Sequence, residues 1–168
     1  TILGGCISRQ FRAFQANESS PATQWLRALA ALAHQECGGK GVGAVGMCFT
    51  GNFALSMMLE PSVLAPVLSQ PSLPLNDAAG MHIHPDELAA VKARMEAEDL
   101  PVLAYRFEGH KYCQAARFAA YQDALGARFI GPGCDLQGRE VGRALLPEHH
   151  RPEHRAEPLQ LRTAVLPD

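Results

Sequence analysis

Apolar positions along this chain come in short runs set between mixed segments, and their spacing predicts most of the elements. Trp25, Leu26, Leu29 and Leu32 recur at helical spacing. They predict a helix that opens at Ser20-Pro21 and runs to about Glu36. Ser20 is its expected N-cap, those four residues its core stripe, and Gly38-Gly39 its stop. Val42–Met47 is an uninterrupted apolar run with two internal glycines, the composition of a central parallel strand packed closely by helices. Phe49–Leu59 reads as a buried helix ending before Pro61, with Met57 and Met58 filling core space. Val63–Ser69 reads as a strand broken by Pro66, and Pro71–His84 as a long loop. Pro85–Glu98 predicts a helix: Pro85 suits the first turn, and Asp86 and Glu87 favour its positive end. Leu88, Val91 and Met95 line its apolar face. Val102–Phe107 predicts a strand, Cys113–Leu125 a helix ended by Gly126, and Arg128–Ile130 a last strand.

This alternation implies an α/β fold, a mostly parallel sheet flanked by helices. Residues 131–168 lose the periodicity and are dense in Arg, Pro, His and Glu. The expected organisation is a domain over 1–130 and a divergent, loosely ordered tail over 131–168.

Composition narrows the function classes. The chain has 168 residues, about one domain, and 47% apolar residues, as a globular protein requires. A net charge of −2 and a pI near 6.4 leave no basic footprint for nucleic acid. No apolar run approaches the roughly 20 residues of a membrane helix, and the N-terminus lacks the charged-then-apolar order of a signal peptide. The cysteines, at 6, 37, 48, 113 and 134, are odd in number and scattered. That pattern favours reduced thiols and a cytoplasmic setting over a disulfide framework.

The chemistry concentrates at Val42–Phe53. An apolar run reaches Gly46, Cys48 follows one residue beyond it after Met47, and Thr50-Gly51 precede a helical pattern. This is the layout of a nucleophile elbow, a tight strand-to-helix turn that lifts one side chain above a sheet. Gly46 and Gly51 fit because Cβ atoms crowd such a turn. The following helix would point its positive end at the sulfur and favour the thiolate. The Phe49 N–H would point to where an oxyanion forms.

Gly46-Met-Cys-Phe-Thr-Gly, with Cys6-Ile-Ser-Arg-Gln-Phe, Ser20-Pro-Ala-Thr-Gln-Trp-Leu-Arg-Ala-Leu, Leu64-Ala-Pro-Val-Leu-Ser-Gln-Pro-Ser-Leu-Pro and Tyr105-Arg-Phe-Glu-Gly, resembles one branch of the dienelactone hydrolase family over about residues 1–130. That family comprises α/β-hydrolases with a cysteine nucleophile. The resemblance implies a partial α/β-hydrolase fold, the later part of that architecture, since only one helix and a short lead-in precede the elbow strand. It also implies an ester or lactone as substrate, with no cofactor or metal. A Cys–His–Asp triad needs a thiolate, a base and an acid that orients the base. Cys48 takes the first role. The position where the family carries its acid holds His110, and an imidazole cannot stabilise an imidazolium. His110 reads either as a displaced base reaching Cys48 or as an exposed loop histidine. Glu108 faces elsewhere if its strand alternates, and Asp77 or Asp86 would need an unusual loop path. The triad histidine would come from the tail, where His149, His150 and His154 are the candidates and His149 the first of them.

The remaining signals have simpler readings. His149, His150 and His154 have weak metal-ligand spacing and read as solvated, and His110-x-x-Cys113 reads as helix-start packing. His82 and His84 read as surface residues. Gly38–Gly43 precedes a strand, the wrong order for a phosphate cradle, so nucleotide binding is rejected. A second function class stays open: a non-catalytic relative that keeps part of the fold and pairs with a second copy through an exposed apolar edge.

Overall fold

The computed structural model describes residues 9–107 and 109–131. In chain order the elements are α1 (Ala22–Cys37), β1 (Val42–Met47), a 3-10 turn (Cys48–Thr50), α2 (Phe53–Met57), β2 (Val63–Ser69), α3 (Pro85–Glu98), β3 (Val102–Tyr105), α4 (Ala115–Leu125), a second 3-10 turn (Gly126–Arg128) and β4 (Phe129–Ile130). The four strands form one sheet in the order β1-β2-β3-β4, every pair parallel. The class is therefore α/β. The residues 131–168 assigned to a tail lie, apart from Gly131, outside the described residues.

Register explains which face is buried. Gly46, Leu68 and Ala104 align across the sheet, and Val102 aligns with Phe129. Leu68, Ala104, Val102 and Phe129 are at most 1% exposed. Ala30 of α1, Leu55 of α2, Val91 and Met95 of α3, and Phe118 and Tyr121 of α4 join them in one core. All four described helices thus cover the same face. On the opposite face Val45, Val67, Leu103 and Ile130 align in an aliphatic row, and Val45 is 68% exposed.

Helix ends follow their residues. Gly38 and Gly126 take positive φ and stop α1 and α4. Asp99 closes α3 in the left-handed region, and His84 caps its start by accepting the Asp86 N–H at 3.2 Å. Met58 is fully buried and Met57 packs against the core.

Several expectations need correction. The apolar stripe of α1 is not core: Trp25, Leu29 and Leu32 are exposed, while Thr23 and Ala30 are buried. The helix meets β1 at the sheet's edge, where little sheet surface remains to cover its far side. Ser20 does not cap α1. Its hydroxyl lies 2.5 Å from the Phe11 carbonyl and 2.8 Å from His82 Nε2. Pro66 does not break β2, which runs through it, and pairing with β3 begins one residue later at Val67. The helix expected over 49–59 is the short turn Cys48–Thr50 followed by the five-residue α2. β3 ends at Tyr105, before Phe107, and α4 starts at Ala115, two residues after Cys113.

Candidate functional site

The site sits at the carboxyl end of β1, the side of a parallel sheet where loops gather and ligands bind. Cys48 follows the last strand residue with φ +51°, a conformation that is uncommon for a residue bearing Cβ. Such a conformation costs about 1–3 kcal/mol and persists only where its surroundings impose it. Those surroundings are visible. A Cβ on Gly46 would sit 2.3 Å from the Thr50 carbonyl oxygen, so only glycine lets the chain fold back there. A Cβ on Gly51 would sit 2.5 Å from Pro71 Cα. The Cys48 carbonyl accepts the Gly51 and Ser72 N–H groups, each at 3.0 Å, and Thr50 Oγ1 bonds both the N–H and the carbonyl of Met47. Strand, sharp bend and turn are all in place, and the thiol is exposed.

The loop after β2 closes over this bend. Gln70 also has positive φ, and its N–H donates to the Tyr105 carbonyl at 2.6 Å. Ser72 is buried, with its hydroxyl 3.6 Å from Cys48 Sγ and 2.8 Å from the Gln70 carbonyl. Asn52 Nδ2 donates to the Leu73 carbonyl at 2.8 Å. Arg117, 1% exposed, reaches from α4 into the same loop. Its guanidinium donates to the carbonyls of Gly80 (2.8 Å), Pro71 (3.0 Å), Pro74 (2.6 Å), Asp77 and, from the neighbouring turn, Tyr112 (2.7 Å). Burial lowers its pKa, which still leaves a guanidinium charged at neutral pH.

Cys113, next to this cluster, is fully buried, and desolvation pushes its thiol up to about 11. It therefore stays protonated at neutral pH and is no competing nucleophile. Its N–H donates to His110 Nδ1 at 3.0 Å, and the Tyr112 N–H to the same atom at 3.3 Å. His110 thus organises the turn before α4 through one ring nitrogen. It is half-buried, and among the described residues neither Cys48 nor a carboxylate is its partner. Among the described residues Cys48 Sγ is paired with Ser72 and with no imidazole. Phe49, the expected oxyanion donor, is the second residue of the turn, and its ring packs edge-to-face on Phe11 at 5.3 Å. The helix end expected beneath the sulfur is reduced to that turn, so a long helix dipole does not act there. His149, with His150 and His154, lies outside the described residues, as does Glu108. Asp77 folds its carboxylate onto the Ala79 and Gly80 N–H groups, and the Asp86 side chain is 93% exposed.

His82 is a correction: it is 1% exposed, not a surface residue. Its Nδ1 lies 3.1 Å from the Gln15 carbonyl and its Nε2 2.8 Å from Ser20 Oγ. Burial lowers its pKa, with Arg117 and Arg12 acting the same way against hydrogen bonds to the Gln15 and Phe11 main chain. No group of three or more potential metal-ligating side chains occurs among the described residues. Nor does any described helix have the length and apolarity to cross a membrane.

Sequence reasoning assigned no role to Ser72, Gln70, Arg117 or His82. Ser72 and Gln70 lie between Leu64 and Pro74, but only folding brings them to the cysteine. An arginine inside a helix reads as a solvated charge. A groove of roughly 600 Å³ runs beside β1, lined by Trp25, Leu26, Val45, Phe53 and others. It reaches Gly46 and Thr50 on either side of the bend, while the sulfur itself lies outside its lining. No protein-family model, no curated protein and no solved structure matches the chain.

Proposed function

We propose that the chain is a partial α/β-hydrolase of the dienelactone hydrolase type, a cytoplasmic enzyme that cleaves an ester or lactone with Cys48 as nucleophile. The observation that carries this reading is the positive φ of Cys48 at the end of a parallel strand, with glycine at the two contact positions that a bend requires. The Cys48 thiolate attacks the acyl carbon, the C–S bond forms, and the carbonyl oxygen takes the negative charge beside the Phe49 N–H. The C–O bond then breaks, the alcohol leaves with a proton, and water releases the acid from the thioester. His110 and His149 are the histidines assigned to proton transfer. For His110, Nε2 is the available nitrogen, because Nδ1 accepts two backbone N–H groups.

A p-nitrophenyl ester tests this. The chain is expected to turn it over, with activity lost on Cys48→Ser and on alkylation. Turnover unchanged in Cys48→Ser would overturn the reading.

One observation favours a second reading, a non-catalytic relative acting through association. The aliphatic row Val45, Val67, Leu103 and Ile130 lies on the sheet face that no described helix covers. Parallel sheets normally bury both faces, so this surface has the character of a contact between two copies.

A further inference from the structure

Among the described residues, Ser72 is the side chain that hydrogen-bonds the Cys48 sulfur. It is 1% exposed, and its hydroxyl has two acceptors in reach: Cys48 Sγ at 3.6 Å and the Gln70 carbonyl at 2.8 Å. A hydroxyl has one hydrogen and two lone pairs, so it serves only one acceptor at a time. With a neutral thiol the arrangement is complete when the hydroxyl donates to Gln70 and the weak S–H donates to the hydroxyl oxygen. With a thiolate that S–H is gone, and the same hydroxyl satisfies the charge by turning its hydrogen to sulfur. Charge-assisted bonds are stronger than neutral ones, so the turn is favourable.

The hydroxyl is also held in place. The Ser72 N–H is fixed on the Cys48 carbonyl at 3.0 Å. Asn52 fixes the next carbonyl, and Arg117 fixes Pro71 and Pro74 on either side. The donor therefore meets the sulfur with little further ordering to do. We propose that Ser72 is the hydrogen-bond donor to the Cys48 thiolate, an additional functional residue of this site. No proton is transferred; the hydroxyl only changes the acceptor it faces.

This inference rests on Cys48 as the nucleophile, but its test does not need ester turnover. Iodoacetamide reacts with the thiolate alone, and the exposed Cys37 in the same chain serves as reference. In Ser72→Ala the alkylation rate of Cys48 relative to Cys37, read by peptide mass spectrometry, is expected to fall about tenfold, the equivalent of one modest charge-assisted bond. Ser72→Thr keeps a hydroxyl and is expected to restore most of the rate, a rescue that a purely packing role would not give. Equal relative rates in wild type and Ser72→Ala would overturn the proposal, whether or not the protein hydrolyses esters. If Ser72→Ala does not fold, Ser72→Gly removes the same hydroxyl: a slow relative rate in that folded variant supports the proposal, and a wild-type rate overturns it.

Discussion

At the scale of single residues, two positions convert geometry into measurable outcomes. Gly46→Ala forces a Cβ onto the Thr50 carbonyl, a main-chain atom that no rotamer change can move. A loss of about 3 kcal/mol in urea unfolding is expected, the upper end for overpacking. Gly43→Ala, whose Cβ would meet nothing closer than 3.6 Å, should stay within about 0.5 kcal/mol of wild type. Equal costs at both positions would contradict a bend that requires glycine. His82 gives a pH prediction. Its folded pKa is lowered below the unfolded value of about 6.5, so the unfolded state binds more protons as the medium acidifies. The stability it contributes is complete above that value and is lost as pH falls through the folded pKa. Stability between pH 7 and pH 5 should therefore fall more steeply in wild type than in His82→Gln, as read by urea midpoints. Parallel curves would contradict this. The sequence could not have shown it: a histidine three residues before a helix reads as surface. The segment carrying Gln15 and Ser20, with the Phe53 ring stacked at 6.4 Å, makes it core.

At the scale of elements, what local patterning controls was legible. α3 follows its signals closely, with Pro85 in the first turn, two acidic residues after it, and Val91 and Met95 buried. β1 and β2 match their apolar runs residue for residue. Departures come where tertiary context decides. A full helix after Cys48 gave way to a turn and the short α2, because the chain must clear Gly46 and Pro71 before it can coil. The loop after β2 was read only as a loop, since nothing local announces that an arginine about 40 residues on will organise it. That arrangement predicts a large cost for Arg117→Met. Five carbonyls would lose a charged donor in a buried setting, and a loss of about 3 kcal/mol or more is expected in chemical denaturation. Arg128, paired with an exposed Asp99, is the control, and its replacement by Met should cost under about 1 kcal/mol. Comparable losses would show that Arg117 does not hold the loop.

At the scale of the whole molecule, four helices on one face leave a parallel sheet half-covered among the described residues. The exposed face carries Val45 and Met47 on β1 and Tyr105 on β3. Sedimentation velocity across a hundredfold range of concentration should show self-association, and Val45→Asp should abolish it by placing a charge in the contact. A monomer at every concentration would remove the associative reading.

The elbow is the claim on which the functional reading turns, and Cys37 provides an ordinary exposed thiol in the same chain for comparison. The most direct measurement is to mix the protein with p-nitrophenyl acetate, quench over time, and map acylation by mass spectrometry. An acyl group that appears on Cys48 well ahead of Cys37, and is then lost by hydrolysis, is the predicted result. Equal acylation of the two cysteines, or an acyl group that persists on Cys48, would contradict it.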